Sequence, residues 1–289
     1  MKREVGLALQ TDKAPGAYAA AARVADDAGF DVVTVFNDLW YQPALPALIE
    51  IANATSRVRI GPTCLNPFTL HPVEIAGQIA ALDRLSNGRA FLGLAAGAWL
   101  DSLGVDTSRP LTAVREAWEI VRRLLAGDEE GFEGARFSLP PGERLRYEIE
   151  RPEVPLLVGT WSPRLAAFAG TAAAEVKIGG SANPGMVAVM RERIGNPDVG
   201  IVLGAITVVD RDGDRAREIA RREVAMYVDV VGALDPTGAT DLESFAFAGT
   251  PEEVADQARA VHDAGALRVD FGNPNDINLL VSDVLPRLA

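Results

Sequence analysis

The stretch TSRVRIGPTCLNPFTLHPVEIAGQIAALDRLSNGRAFLGLAAG, residues 55–97, decides the fold. Its residues 57–62 (RVRIGP) have the apolar and β-branched character of a short strand. A loop with two prolines follows, then residues 73–85, whose apolar positions recur at helical spacing. Ser86-Asn87-Gly88 is a turn. Residues 90–95 (AFLGLA) return as a second strand. Strand, helix and strand in this succession make a crossover between parallel strands.

The same alternation extends both ways. Upstream, strands at 4–9 and 31–36 alternate with helices at 15–29, where Gly29 ends the helix, and at 44–54. Downstream come a helix at 111–125, strands at 154–159, 174–178, 199–208 and 267–271, and helices at 163–170, 184–194, 214–231 and 251–265. A helical tail spans 277–288. Eight strand–helix units without a compositional break predict one α/β domain over 1–289, a (β/α)8 TIM barrel. No Gly-x-Gly-x-x-Gly follows the first strand, which weakens a doubly wound dinucleotide fold. Two irregular stretches, 127–153 and 232–249, read as lids or binding loops, or equally as surface decoration.

Composition narrows the function classes. The 289 residues are 48% hydrophobic and 24% charged, enough for a large core. A net charge of −12 with no basic run repels nucleic acid. Met1-Lys2-Arg3 leads straight into the first strand, without the apolar region of a signal peptide. No apolar run is long enough to span a membrane. The single cysteine excludes an intrachain disulfide and fits a reducing cytoplasm. His71 and His262 are far apart in sequence and have no zinc-type ligand spacing, so no metal centre is expected.

A barrel works at the C-terminal ends of its strands, so the residues after each strand are the candidates. After the second come Asn37, Asp38, Leu39, Trp40 and Tyr41. Asp38 is suited to a ligand hydrogen bond or to capping the next helix. The aromatics suit a ring-binding wall or the core. After the third come Cys64, Leu65 and Asn66, with Pro67 holding Asn66 extended. Cys64 reads as a buried thiol, and His71 before Pro72 as a helix-start hydrogen bonder. Ala96 and Gly97 after the fourth strand let a flat ligand approach closely, with Asp101 beyond them. Gly159, Thr160, Trp161, Ser162 and Pro163 open the helix after the fifth, with Ser162 in the N-cap position. Gly179, Gly180 and Ser181 form a second loop rich in donors. Both loops suit a phosphate at a helix start.

Residues 55–97, with VGTWSPRLAAFAG at 158–170 and the end of the second strand, resemble the luciferase-like monooxygenase family, and most of all its branch that uses the deazaflavin coenzyme F420. The resemblance implies a barrel in homodimers, with the ring at the barrel mouth. It places a non-proline cis peptide between Cys64 and Leu65, Asn66 at the ring's polar edge, and Gly97 with Asp101 along the coenzyme side chain. It assigns the phosphate to 159–163 and 179–181. The chain also departs from its relatives. Deazaflavin dehydrogenases of this kind often carry Asp-His where Asn37-Asp38 stands, and some a Glu where Ala98 stands. Their proton-transfer residues therefore do not carry over, and Asp38 is left as the candidate catalytic proton donor or acceptor. Three readings follow: an F420-dependent hydride transfer to or from a small organic substrate, an FMN-dependent monooxygenase, and a non-catalytic flavin-binding protein.

Overall fold

The structure, a computed structural model, describes residues 3–288. Met1 and Lys2, read above as the lead into the first strand, lie outside the described residues. The strands are β1 (Glu4–Leu9), β2 (Val32–Val35), β3 (Arg59–Pro62), β4 (Leu92–Ala95), β5 (Phe132–Glu133), β6 (Ser138–Leu139), β7 (Leu156–Gly159), β8 (Glu175–Gly179), β9 (Gly200–Val209), β10 (Ala246–Gly249) and β11 (Arg268–Gly272). The main helices are α1 (Ala17–Ala28), α2 (Ala44–Ala54), α3 (Pro72–Leu85), α4 (Pro110–Ala126), α5 (Pro163–Ala172), α6 (Gly185–Ile194), α7 (Gly213–Val224), α8 (Val228–Leu234) and α9 (Pro251–Asp263).

Eight parallel strands run in the order β3-β2-β1-β11-β9-β8-β7-β4. Two isolated bridges, Ile60 to Ala90 and Leu65 to Leu94, join the outer two and close the barrel. Between those bridges the β3 side has one residue more than the β4 side, so the seam carries a bulge. The helices bury stripes against this ring. In α4, Ala113, Val114, Ala117, Ile120, Val121 and Leu124 are buried at helical spacing.

The barrel interior is charged at its base. Arg59 bonds Glu4 at 2.5 Å and Glu175 at 2.8 Å. Strands β3 and β8 are not neighbours, so the second contact crosses the interior. Arg268 bonds Glu175 at 2.6 Å and Asp270 at 2.7 Å, and Lys177 meets Asp270 at 2.6 Å. The three cations and three anions balance. Glycines make room for them: a Cβ on Gly6 would lie 2.0 Å from Asp270 Oδ1, and one on Gly204 3.1 Å from the Lys177 stem. An apolar group of Val32, Phe91, Leu157 and Cys64 fills another part of the interior.

Several sequence expectations change. The 127–153 stretch contains the hairpin β5–β6, which packs on α4: the Glu116 carboxylate accepts the N–H groups of Ala135, Arg136 and Phe137. Its later part is pinned to α3, with Arg151 on buried Asp83 at 2.6 Å and Tyr147 on the Gly77 carbonyl. The helix expected at 214–231 breaks between α7 and α8, where the Tyr227 hydroxyl donates to the Phe245 carbonyl. The 232–249 stretch includes β10, which pairs with the end of β9. Asn183 holds that stretch through Asp235 and Thr237, so it is a wall tied to the barrel. The 277–288 tail is a succession of short α, π and 3-10 turns, with Pro286 inside the last of them.

Candidate active site

The strand ends form an open mouth. Thr34, Gly93, Leu157 and Lys177 are buried, whereas Phe36, Ala95 and Gly159, two positions further on, are half-buried and Gly179 is exposed. The rim carries Trp40 and Trp99, both exposed and both in the left-handed backbone region at φ 71° and 56°.

The β1–β2–β3 side is polar and ordered. Gln10, the residue after β1, donates its amide to Asp38 Oδ2 at 3.0 Å. Burial raises the Asp38 carboxyl above its ordinary range, and the Gln10 bond offsets part of that rise. Asn37 points the other way: its Oδ1 accepts the Ala44 N–H at the start of α2. Asn66 is buried, and its Oδ1 accepts the N–H groups of Phe68 and Thr69. Its loop is followed by α3, capped by His71, whose Nδ1 accepts the Val73 N–H as the sequence suggests.

Cys64 is an inert thiol in this setting. Its residue is partly accessible, but the sulfur fills space left by glycine: a Cβ on Gly159 would sit 2.7 Å from it. Burial pushes the thiol up to about 12, with Lys177 lowering it only in part. The cis peptide lies between Thr63 and Cys64, one bond earlier than expected. The reason is register. Leu65 donates to the Gly93 carbonyl and accepts from Ala95, so it is already paired with β4, and the irregular bond falls before it.

The β4–β7–β8 side is made of small residues. Gly97 has φ 82°, and a Cβ there would lie 3.1 Å from Asn66 Cγ. Ala96 is half-buried beside it, while Asp101 is exposed on the short turn Leu100–Leu103. Arg136 braces this loop from the hairpin side. It donates to the Asp106 carbonyl at 2.7 Å and lies 4.6 Å over the Phe68 ring. The Trp161 indole donates to the Gly179 carbonyl and so spans the ends of β7 and β8.

The two loops expected to hold a phosphate differ. Ser162 does not cap α5 with its side chain, contrary to the sequence reading; its own N–H donates to Thr160 Oγ1. The first-turn N–H groups of α5, which follow Pro163, are therefore left for another acceptor. In the second loop the N–H groups of Gly180 and Ser181 both donate to the Gly204 carbonyl, and buried Ser181 accepts from Asn183. The geometry for an anion is thus better at 159–163 than at 179–181.

A groove of about 780 Å³ lies outside the barrel, lined by Trp118, Phe132 and Phe168 between α4, α5 and the hairpin. It contains none of the strand-end residues. Among the described residues no cluster of three or more metal-ligating side chains occurs, and no helix is long and apolar enough to cross a membrane.

The sequence reading missed the interior charges Glu175, Lys177, Arg268 and Asp270, and also Gln10. The first four carried a signal. In AEVKI and LRVDF the charges alternate with apolar residues and so share one face of each strand. The contact of Glu175 with Arg59, from strands that are not neighbours, shows that this face points inward.

A parallel barrel with its candidate residues on loops after β1, β2, β3, β4, β7 and β8 is an enzyme-type scaffold of the (β/α)8 class. The profile of the luciferase-like monooxygenase family matches residues 2–268. The chain belongs to that family. It is similar to 5,10-methylenetetrahydromethanopterin reductase of Methanopyrus kandleri, 27% identical over 97% of each chain. The structure of the coenzyme F420 dependent tetrahydromethanopterin reductase from Methanopyrus kandleri superposes with a TM-score of 0.85 at 23% identity, covering both chains fully. An F420-dependent secondary alcohol dehydrogenase, in complex with an F420–acetone adduct, gives 0.82 at 21%, again over the full length of both chains. Both likenesses show the same fold.

Proposed function

We propose that this chain is an F420-dependent oxidoreductase that moves a hydride between the deazaflavin and a small organic substrate bearing a C=C, C=N or alcohol/carbonyl group. The observation that carries the reading is the mouth itself: a cradle of small residues, Ala95, Ala96, Gly97, Gly159 and Gly179, faces a half-buried Asp38 across the strand ends. At Gly179 the mouth is open, since a Cβ there would meet nothing within 4 Å, whereas the Cys64 sulfur and the Asn66 side chain lie against Gly159 and Gly97 and form the surface on which a flat ring would rest. The reductase relatives named above support the choice of coenzyme.

When bound, the coenzyme supplies the hydride chemistry at its C5. The chain does the rest. Ala96 and Gly97 give close approach, and Asn66 and the loop at 63–65 form the floor. The uncapped start of α5, at 159–163, receives a phosphate. Trp40 and Trp99 shield the mouth from water. Asp38 Oδ1, which has no protein partner among the described residues, gives or takes the proton that balances the hydride. A pair of copies working in the cytoplasm completes the reading, with neither nucleic acid nor membrane as partner; the net charge of −12 supports the former exclusion.

The test is a parallel titration of the purified protein with F420 and with FMN, followed by coenzyme fluorescence. Saturable F420 binding is expected. Tight FMN binding with no F420 binding would overturn the proposal in favour of an oxygen-using relative.

A further inference from the structure

We propose that Gln10 is a positioning residue: its side-chain amide fixes the Asp38 carboxyl at the mouth and reserves one of its oxygens for the reaction. This rests on the reading of Asp38 as the proton-transfer group, and it goes beyond that reading by naming what sets Asp38 in place.

The amide has one possible orientation. Gln10 Oε1 accepts the Thr11 N–H at 2.8 Å, and a backbone N–H can only donate. The NH2 end must therefore be the group at Asp38 Oδ2, 3.0 Å away. The Gln10 backbone is also held, its N–H reaching Asn273 Oδ1 at 3.4 Å. Asn273 in turn donates its N–H to the Ala8 carbonyl and accepts from the Lys13 ammonium. The ends of β2, β1 and β11, adjacent in the sheet, are thus joined through one glutamine. Among the described residues only one oxygen of Asp38, Oδ2, is bonded in this arrangement.

The charged surroundings leave this bond in control. On the β1 loop, Lys13 is paired with Asp12 at 2.9 Å. From the β3 side the Cys64 thiol faces Asp38 and is un-ionised near neutrality. Beneath Cys64, Lys177 is neutralised by Asp270. The Gln10 amide favours the ionised carboxylate and burial opposes it. Removing the amide while leaving the burial must move the titration upward.

The experiment is carbon-13 NMR titration of the aspartate carboxyls in the full chain, with Asp38→Asn identifying the Asp38 signal. In Gln10→Met the Asp38 midpoint is expected to rise by up to about one pH unit, the size of one modest hydrogen bond. In Gln10→Glu, which keeps the shape but replaces the donor with a second carboxyl, it is expected to rise further. A single cooperative unfolding transition in the parent and in both Gln10 variants separates this from loss of structure. An Asp38 midpoint unmoved in both variants overturns the proposal. Activity gives an independent answer on Asp38 itself. If the midpoint shifts but Asp38→Asn turns over normally with reduced F420, the control of the Asp38 carboxyl by Gln10 stands, while the proton-transfer reading falls and with it the reservation of an oxygen for the reaction. If Asp38→Asn is inactive, the pH limb of kcat/KM in Gln10→Met is expected to move with the NMR midpoint.

Discussion

Two groups of carboxylates in this barrel have opposite relations to their surroundings. At the base, Glu175 and Asp270 are buried, and burial alone would raise them. Arg268 outweighs it, aided by Arg59 for Glu175 and by Lys177 for Asp270, so both are held below the ordinary carboxylate range. At the mouth, among the described residues, Asp38 has a single amide donor and no cation bonded to it, and burial prevails. A charge cluster whose carboxylates are each matched by cations is architecture. A carboxyl with one committed oxygen is available for chemistry. Burial of a charge does not separate the two; the count of its partners does.

The largest effect that would break this comparison is at Arg268. Its side chain is fully buried, with Glu4 a third carboxylate at 3.8 Å, and is hydrogen-bonded to Glu175 and Asp270. Arg268→Met leaves both without their main counter-charge and is expected to cost about 3–5 kcal/mol, read from chemical denaturation. A loss below about 1 kcal/mol would mean that the base is not held by this cluster.

The next effect is on pH. Glu175 and Asp270 have depressed folded values. The stability they contribute is therefore complete above their unfolded values, at about pH 4, and is lost as pH falls through the folded values. The thermal midpoint is expected to drop on acidification below about pH 4. In Arg268→Met that drop should be smaller, because the depression has lost its main source. An equally steep drop in the variant would place the acid sensitivity elsewhere, for instance at Glu116 of α4, whose carboxyl is also held low because its three backbone donors from the hairpin outweigh burial.

How far these regions are legible in the sequence follows from the range of the contacts. All eight barrel strands are readable because each is rich in apolar and β-branched residues and is set off by turns and helical runs, even in β8 and β11, where charges alternate with the apolar positions. The hairpin β5–β6 has only two residues in each strand, too few to show a period of two. Strand β10 (AFAG) has four residues and lacks β-branched ones. The strand-end loops are legible because a barrel places them at one face whatever their composition. The contacts that make them a site are not. Gln10 and Asp38 are 28 positions apart, and nothing local in either segment announces the pair. The cis bond is misplaced by one residue because its position depends on how Leu65 pairs with β4, a contact between strands.

The smallest predicted effect is the sharpest test of the contrast. Asp38 has a raised folded value, so the sign is the reverse of that at the base. Its favourable contribution is complete below the unfolded value and is lost as pH rises through the folded one. At neutral pH the ionised Asp38 therefore costs stability. Asp38→Asn keeps the shape and still offers an oxygen to the Gln10 amide, but carries no charge to bury. The variant is expected to be slightly more stable than the parent at pH 7, and the difference should close as the pH approaches 4, as measured by paired thermal melts across that range. Loss of activity together with a gain in stability is what a site residue gives when its charge is kept for function. A variant that is less stable by the same margin at every pH would instead make Asp38 a structural support of the β2 loop.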